Sequence, residues 1–182
     1  MKRRFSLGLV LVLCSFALMA KEIDILRLTD RSEDGFYALD VDAEIEPGRE
    51  VREAVASGIP LRFVFDVRVH KVRRYLWNER LLELRRTLLL ERHALAGKYV
   101  VTDEASQQRQ VASSLDDALI MLGRVRRMVI ARDDELAPER PLVGRVRVKL
   151  DIESLPAPLR PIAWVSPRWH VSSDWEAWDI PE

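Results

Sequence analysis

Residues 77–103, "WNERLLELRRTLLLERHALAGKYVVTD", decide the fold. Leu, Glu and Arg dominate the first half, and all three favour helix. Leu81, Leu84 and Leu88 fit one helical face. Leu82, Leu84, Leu88 and Leu90 also share the parity of a strand, interrupted only at Arg86. The Ala96-Gly97 turn then leads into "KYVVT", the kind of segment a hairpin partner would be. Taken alone, these residues leave helix and strand level.

The neighbouring segments are clearer. "KEIDILRLTDRSEDGFYALDVDAEIEPG" (21–48) reads as a β-hairpin turning at Asp34-Gly35. Tyr37, Leu39, Val41, Ala43 and Ile45 share one parity, and Asp40, Asp42 and Glu44 the other, as on a half-buried strand. "REVREAVASG" (49–58) predicts a short helix, with Val51, Ala54 and Val55 on one face and Gly58 as its stop. "IPLRFVFDVRVHKV" (59–72) is the clearest strand: Leu61, Phe63, Phe65, Val67 and Val69 alternate with Arg62, Asp66, Arg68 and His70. "SSLDDALIMLGRVRR" (113–127) predicts a second helix, capped by Ser113 or Ser114, with three arginines near its end. "MVIA" (128–131) suggests a short strand and "RDDELAPERP" (132–141) an exposed loop. "LVGRVRVKLDIES" (142–154) is again a strand, "LPAPLRP" (155–161) a proline-broken connection, and "IAWVSPRWHVSSDW" (162–175) a last extended piece. Alternating strands with one solvated face predict antiparallel sheets packed as a sandwich.

The chain has 182 residues, enough for one domain with a core of its own. Its first twenty residues, "MKRRFSLGLVLVLCSFALMA", combine a basic start, an apolar run from Phe5 to Leu18 and Ala20. This is the layout of a secretory signal peptide, too short to span a bilayer comfortably. The expected organisation is a signal peptide at 1–20 and a single β-rich domain at 21–182. An uncleaved segment would instead anchor the domain to the inner membrane. Removing it takes away three basic residues and no acidic ones, which turns 29 against 29 into a net charge of about −3. A mildly acidic exported chain is a poor nucleic-acid binder. Cys14, the single cysteine, lies in the same segment, so the domain has no disulfide to rely on.

The order of the parts resembles an exported proteobacterial family, DUF4390. The likeness rests on "FYALDVDAEIEPGREVREAVASGIPLRFVFDVRV", "LELRRTLLLERHALAGKYVV", "SSLDDALIMLGRVRRMVI", "LDIESLPAPLRP" and "SSDW" taken in sequence. The resemblance implies a periplasmic or envelope location, a β-rich domain and an extended conformation for the leucine-rich stretch. It further implies a partner, since relatives are often encoded beside a membrane sensor histidine kinase of the nitrogen-regulation (NtrY-like) type. It brings no catalytic residues.

Motifs that carry chemistry are missing. There is no Gly-x-Ser-x-Gly elbow, P-loop or dinucleotide fingerprint. His70, His93 and His170 are far apart in the chain, and each reads as an ordinary strand or loop histidine. Asp40, Asp42, Glu44 and Glu46 form a ladder along a strand, whereas a hard cation needs converging oxygens. A solvated face paired to arginines of 62–74 and 144–149 explains the ladder better.

The expected fold is therefore mainly β (α+β): an antiparallel β-sandwich-like domain with two short helices behind the signal peptide. The expected function is that of an uncharacterised exported envelope protein, not an enzyme, without metal, cofactor or catalytic residues. It would bind another protein and modulate the sensor kinase. The alternatives are a sandwich that binds a lipid or hydrophobic small molecule, and, less favoured, an undetected hydrolase. Trp178, Arg68, Arg73 and Arg74 are the expected interaction surface. Trp175, at the start of a terminal turn reaching Trp178, is expected to close the fold together with Trp169.

Overall fold

The structure is a computed structural model and describes residues 22–73, 78–139 and 141–181. Residues 1–20, expected to be a signal peptide, and Arg74 lie outside the described residues. A hairpin opens the domain, with β1 at Ile23–Glu33 and β2 at Phe36–Ile45. Asp34 and Gly35 both take positive φ, as a two-residue hairpin turn requires. Helix α1 follows at Arg49–Ala56, burying Val51, Ala54 and Val55. Strand β3 is Leu61–Lys71.

The leucine-rich stretch is strand β4, Glu79–His93, paired with β3 from Glu79 to Leu90. Its two conflicting patterns are resolved by register. Leu82, Leu84, Leu88 and Leu90 oppose Val69, Val67, Phe63 and Leu61, so all four point to the core. Leu81, which a helical face would need, falls at a bulge between the Val69 and His70 pairings. Arg86 also points inward and meets Asp103 of strand β5, Lys98–Asp103. The residue that interrupts the apolar pattern is thus neutralised by its neighbouring strand.

A short strand, β6, covers Arg109–Ala112. Helix α2, Leu115–Leu122, starts at Ser114, whose hydroxyl accepts the Asp117 amide hydrogen at 3.0 Å. Strand β7 runs over Arg124–Arg132, longer than "MVIA" suggested, so the three arginines expected at the helix end belong to a strand. Helix α3, Asp133–Leu136, occupies part of the expected loop and buries Leu136. Strand β8 is Leu142–Leu150.

The tail departs most from expectation. Helix α4, Arg160–Val165, and a 3-10 turn, Pro167–Trp169, replace most of the extended piece. Pro161 sits in the first turn of α4, where its missing donor costs nothing. The terminal turn expected around Trp175 is strand β9, Glu176–Ile180. The described residues hold four short α-helices where two were expected.

The fold is mainly β, with two antiparallel sheets in a sandwich-like arrangement. One has the order β1-β2-β7, the other β6-β5-β4-β3-β8-β9. Tyr37, Leu39 and Val41 of the small sheet join Phe63, Phe65, Val67, Leu88, Leu90, Val146 and Val148 of the large one in a single core cluster. The edge strand β9 and its neighbour β8 contact β1, and α2 packs on β2 and β5. No helix among the described residues is long and apolar enough to cross a membrane.

Candidate functional site

Successive strand residues point to opposite faces, so the core pattern also fixes what the large sheet shows outward. On its outer face β3 contributes Arg62, Val64, Asp66, Arg68 and His70; β4 contributes Arg80, Glu83 and Arg85; β8 contributes Arg145, Arg147 and Lys149. Arg62 is taken up by Glu104 at 2.8 Å. That leaves six cationic side chains against Asp66 and Glu83, with Glu91 of β4 and Asp179 of β9 further out on the same side, a locally positive surface on a chain with no net charge.

Asp66 organises this surface. It is fully buried although it points away from the core, because cations from two strands cover it. Arg85 Nε lies 3.0 Å from Asp66 Oδ1, and Arg147 Nη2 and Lys149 Nζ each lie 3.4 Å from Oδ2. A carboxylate out of water needs such partners. One negative charge shared by three positive ones leaves the cluster cationic.

Trp175 completes it. The tail runs antiparallel alongside β8 at the Lys149–Ser172 bridge, and Trp175 lies just ahead of β9. Two guanidinium groups lie over its ring, with Arg68 Cζ 4.5 Å and Arg147 Cζ 4.7 Å from the centroid. Nε of both arginines is buried without a hydrogen-bond partner among the described residues. Burial pushes the His70 imidazole below its ordinary value, and the charges of Arg145, Arg68 and Arg80 add to the effect. Beside the cluster, Arg85, Arg147, Lys149, Asp151, His170 and Ser172 border an open cleft of about 600 Å³.

The expected site residues separate. Arg68 is on the cationic face. Arg73 follows β3 in the connection to β4, where its side chain is occupied by Glu79. Trp178 is not on the surface face: it opposes Gly144 on the inner side of β8, and its indole N–H donates to Tyr37 Oη at 2.9 Å. Trp169 is buried in the core cluster. Trp175, expected to pack inward, is the outward one, because guanidinium faces rather than aliphatic side chains receive its ring.

Asp66, Arg85, Arg147 and Lys149 were not singled out from the sequence. Asp66 is the one acidic residue in an otherwise basic and apolar strand, and that was the available signal. The acidic ladder of β2 does pair with arginines, but with Arg31 of β1 and Arg126 of β7. The basic strands expected to partner it lie in the other sheet. Among the described residues no group of three His, Cys, Asp or Glu converges as a metal site would.

The fold and this surface define a two-sheet antiparallel domain with an apolar core and a cationic, tryptophan-bearing outer face. The chain belongs to the DUF4390 family, described as a domain of unknown function, whose model matches residues 20–179. No curated protein and no solved structure matches it.

Proposed function

We propose that the domain is a non-catalytic protein-binding module of the cell envelope that acts on a membrane sensor histidine kinase. The observation that carries the reading is the Arg68–Trp175–Arg147 stack on a cationic sheet face. Arginine and tryptophan dominate the energetics of protein interfaces, where a flat aromatic ring and guanidinium forks bury area at little conformational cost. A positive surface favours a partner with clustered carboxylates and speeds the encounter. The core between the sheets is occupied by Tyr37, Phe63, Phe65 and their neighbours, all fully buried, which favours surface recognition over a lipid pocket between the sheets. The kinase is the partner that the family resemblance implies, and the apolar N-terminal segment supports export.

The test is recovery of a kinase from solubilised membranes with the full chain as bait, compared with an Arg68→Glu/Arg147→Glu variant. The variant is expected to lose the partner. In the complex, carboxylates brought over the face are expected to raise the His70 pKa, read by NMR titration. Recovery of no kinase, together with unchanged kinase output when the protein is deleted, would refute the reading.

A further inference from the structure

The twenty residues from Ser154 to Ser173 contain no aspartate or glutamate, although the chain carries 29 of them in 182 residues and would place about three in such a stretch. Arg160, Arg168 and His170 are its only charged or titratable side chains. The segment is also turned outward. Ala163 is fully buried and pins α4 to the domain, while Ile162 is 56%, Trp164 57% and Val165 81% exposed. Pro156, Pro158, Pro161 and Pro167 are exposed beside them. The backbone is fixed: Arg160 Nε donates to the Leu155 carbonyl at 2.7 Å, and Leu155 and Trp169 are buried at either end. An ordered apolar surface of this kind marks a contact site.

Its composition says which kind. An exposed tryptophan among aliphatic side chains, flanked by Arg160 and Arg168 in a segment that has no carboxylate of its own, suits the headgroup layer of a bilayer. There the ring and aliphatic groups meet acyl chains, and the Arg160 guanidinium meets phosphates. Its position agrees. Arg168 bonds Glu50 in the first turn of α1 at 2.7 Å, and two residues earlier the Gly48 amide donates to the Glu22 side chain at 3.1 Å. Glu22 is where the described chain begins, and the apolar run Phe5–Leu18 precedes it. Glu22, where the described chain begins, is thus tied through Gly48, Glu50 and Arg168 to the end of the domain that carries α4.

We infer that this end rests on a phospholipid surface, with Ile162, Trp164 and Val165 in the headgroup layer and Arg160 at the phosphates. The inference is independent of the cationic sheet face, which lies on other residues.

The experiment uses the purified full chain in vesicles of phosphatidylethanolamine and phosphatidylglycerol whose acyl chains carry bromine near the headgroup. Tryptophan fluorescence is expected to be quenched, and Trp164→Phe to remove most of the quenched fraction. Trp175→Phe and Trp178→Phe should leave that fraction in place. A second variant, Ile162→Asp/Val165→Asp, changes only exposed side chains; with an unaltered circular dichroism spectrum, it should release Trp164 from quenching. Quenching that is absent, or unchanged by Trp164→Phe, overturns the inference. So does an unquenched Trp164 in a dimer that the aspartate variant dissociates, since a second copy would then cover α4.

Discussion

Trp178 occupies the space that a side chain on Gly144 would need. The two residues oppose each other across β8 and β9, and a Cβ at position 144 would stand 2.2 Å from indole Cζ2. The same indole reaches the small sheet through Tyr37, so this contact ties the edge of one sheet to the other. Gly144→Ala is expected to cost about 1–3 kcal/mol, the usual range for overpacking, read from urea denaturation. Trp178→Ala should also destabilise. The double variant should cost clearly less than the sum, because alanine fits at 144 once the indole is gone. Strict additivity would show that the two do not compete for one space.

Asp66 holds together three cations that would otherwise repel. Asp66→Asn keeps the shape and removes the charge. Breaking a fully buried pair costs about 3–5 kcal/mol; here the cations remain partly in water, with Arg85 62% exposed, so about 1–3 kcal/mol is expected. The loss should shrink at high salt, because the uncovered repulsion is screened. Denaturation at low and at high ionic strength measures both effects. A loss that does not depend on salt would mean that packing, not charge, is what Asp66 supplies.

Most of the sheet was legible in the chain, and the reasons are local. The hairpin at Asp34-Gly35 and the strands around Phe63 and Val146 alternate cleanly, since each has one wet face. The stretch around Leu84 was not decidable alone, because its propensity is set by Leu, Glu and Arg while its conformation is set by pairing to β3 and β5. Arg86 made the pattern ambiguous, and only Asp103 on another strand explains it. The site was less legible. Trp175 and Trp178 are both half-buried but lie on opposite faces, set by partners far away in sequence, Arg68 and Arg147 for one and Gly144 and Tyr37 for the other. Tryptophan reads as core material unless those guanidinium groups are known to be there.

The inward Arg86–Asp103 pair predicts an acid-labile part of the fold. Burial by itself raises the Asp103 pKa. Hydrogen bonds from Ser106 at 2.8 Å, from Arg86 and from the Ala105 amide at 3.0 Å, with the Arg86 charge, outweigh burial and hold it below its ordinary 3.8. A carboxyl lowered on folding contributes stability that is present above its unfolded value, about 4. That contribution is lost as pH falls through the lower folded value. Asp103→Asn should therefore destabilise at neutral pH and flatten the decline below about pH 4. Urea midpoints of both proteins between pH 2 and 7 test it. Parallel curves would show that the pair contributes nothing dependent on protonation.

The position of Trp175 separates its role from that of Trp169. Trp169 is 7% exposed within the core, and truncating a buried tryptophan costs about 3–5 kcal/mol. Trp175 is stacked on the outer face, where each cation–π contact contributes about 0.5–1 kcal/mol. Trp175→Ala should thus lower stability by only about 1–2 kcal/mol, while Trp169→Ala should come close to unfolding the domain. Binding should show the reverse emphasis. Loss of the ring removes the flat contact and one of the restraints on Arg68 and Arg147, which keep their ion pairs to Glu83 and Asp66. An interface centred there should weaken at least about tenfold, the equivalent of 1.4 kcal/mol, in a Trp175→Ala protein that still folds cooperatively. Denaturation of both variants, with the membrane pull-down repeated on Trp175→Ala, distinguishes the roles. If Trp175→Ala unfolds as readily as Trp169→Ala, the stack is a structural clamp and recognition lies elsewhere.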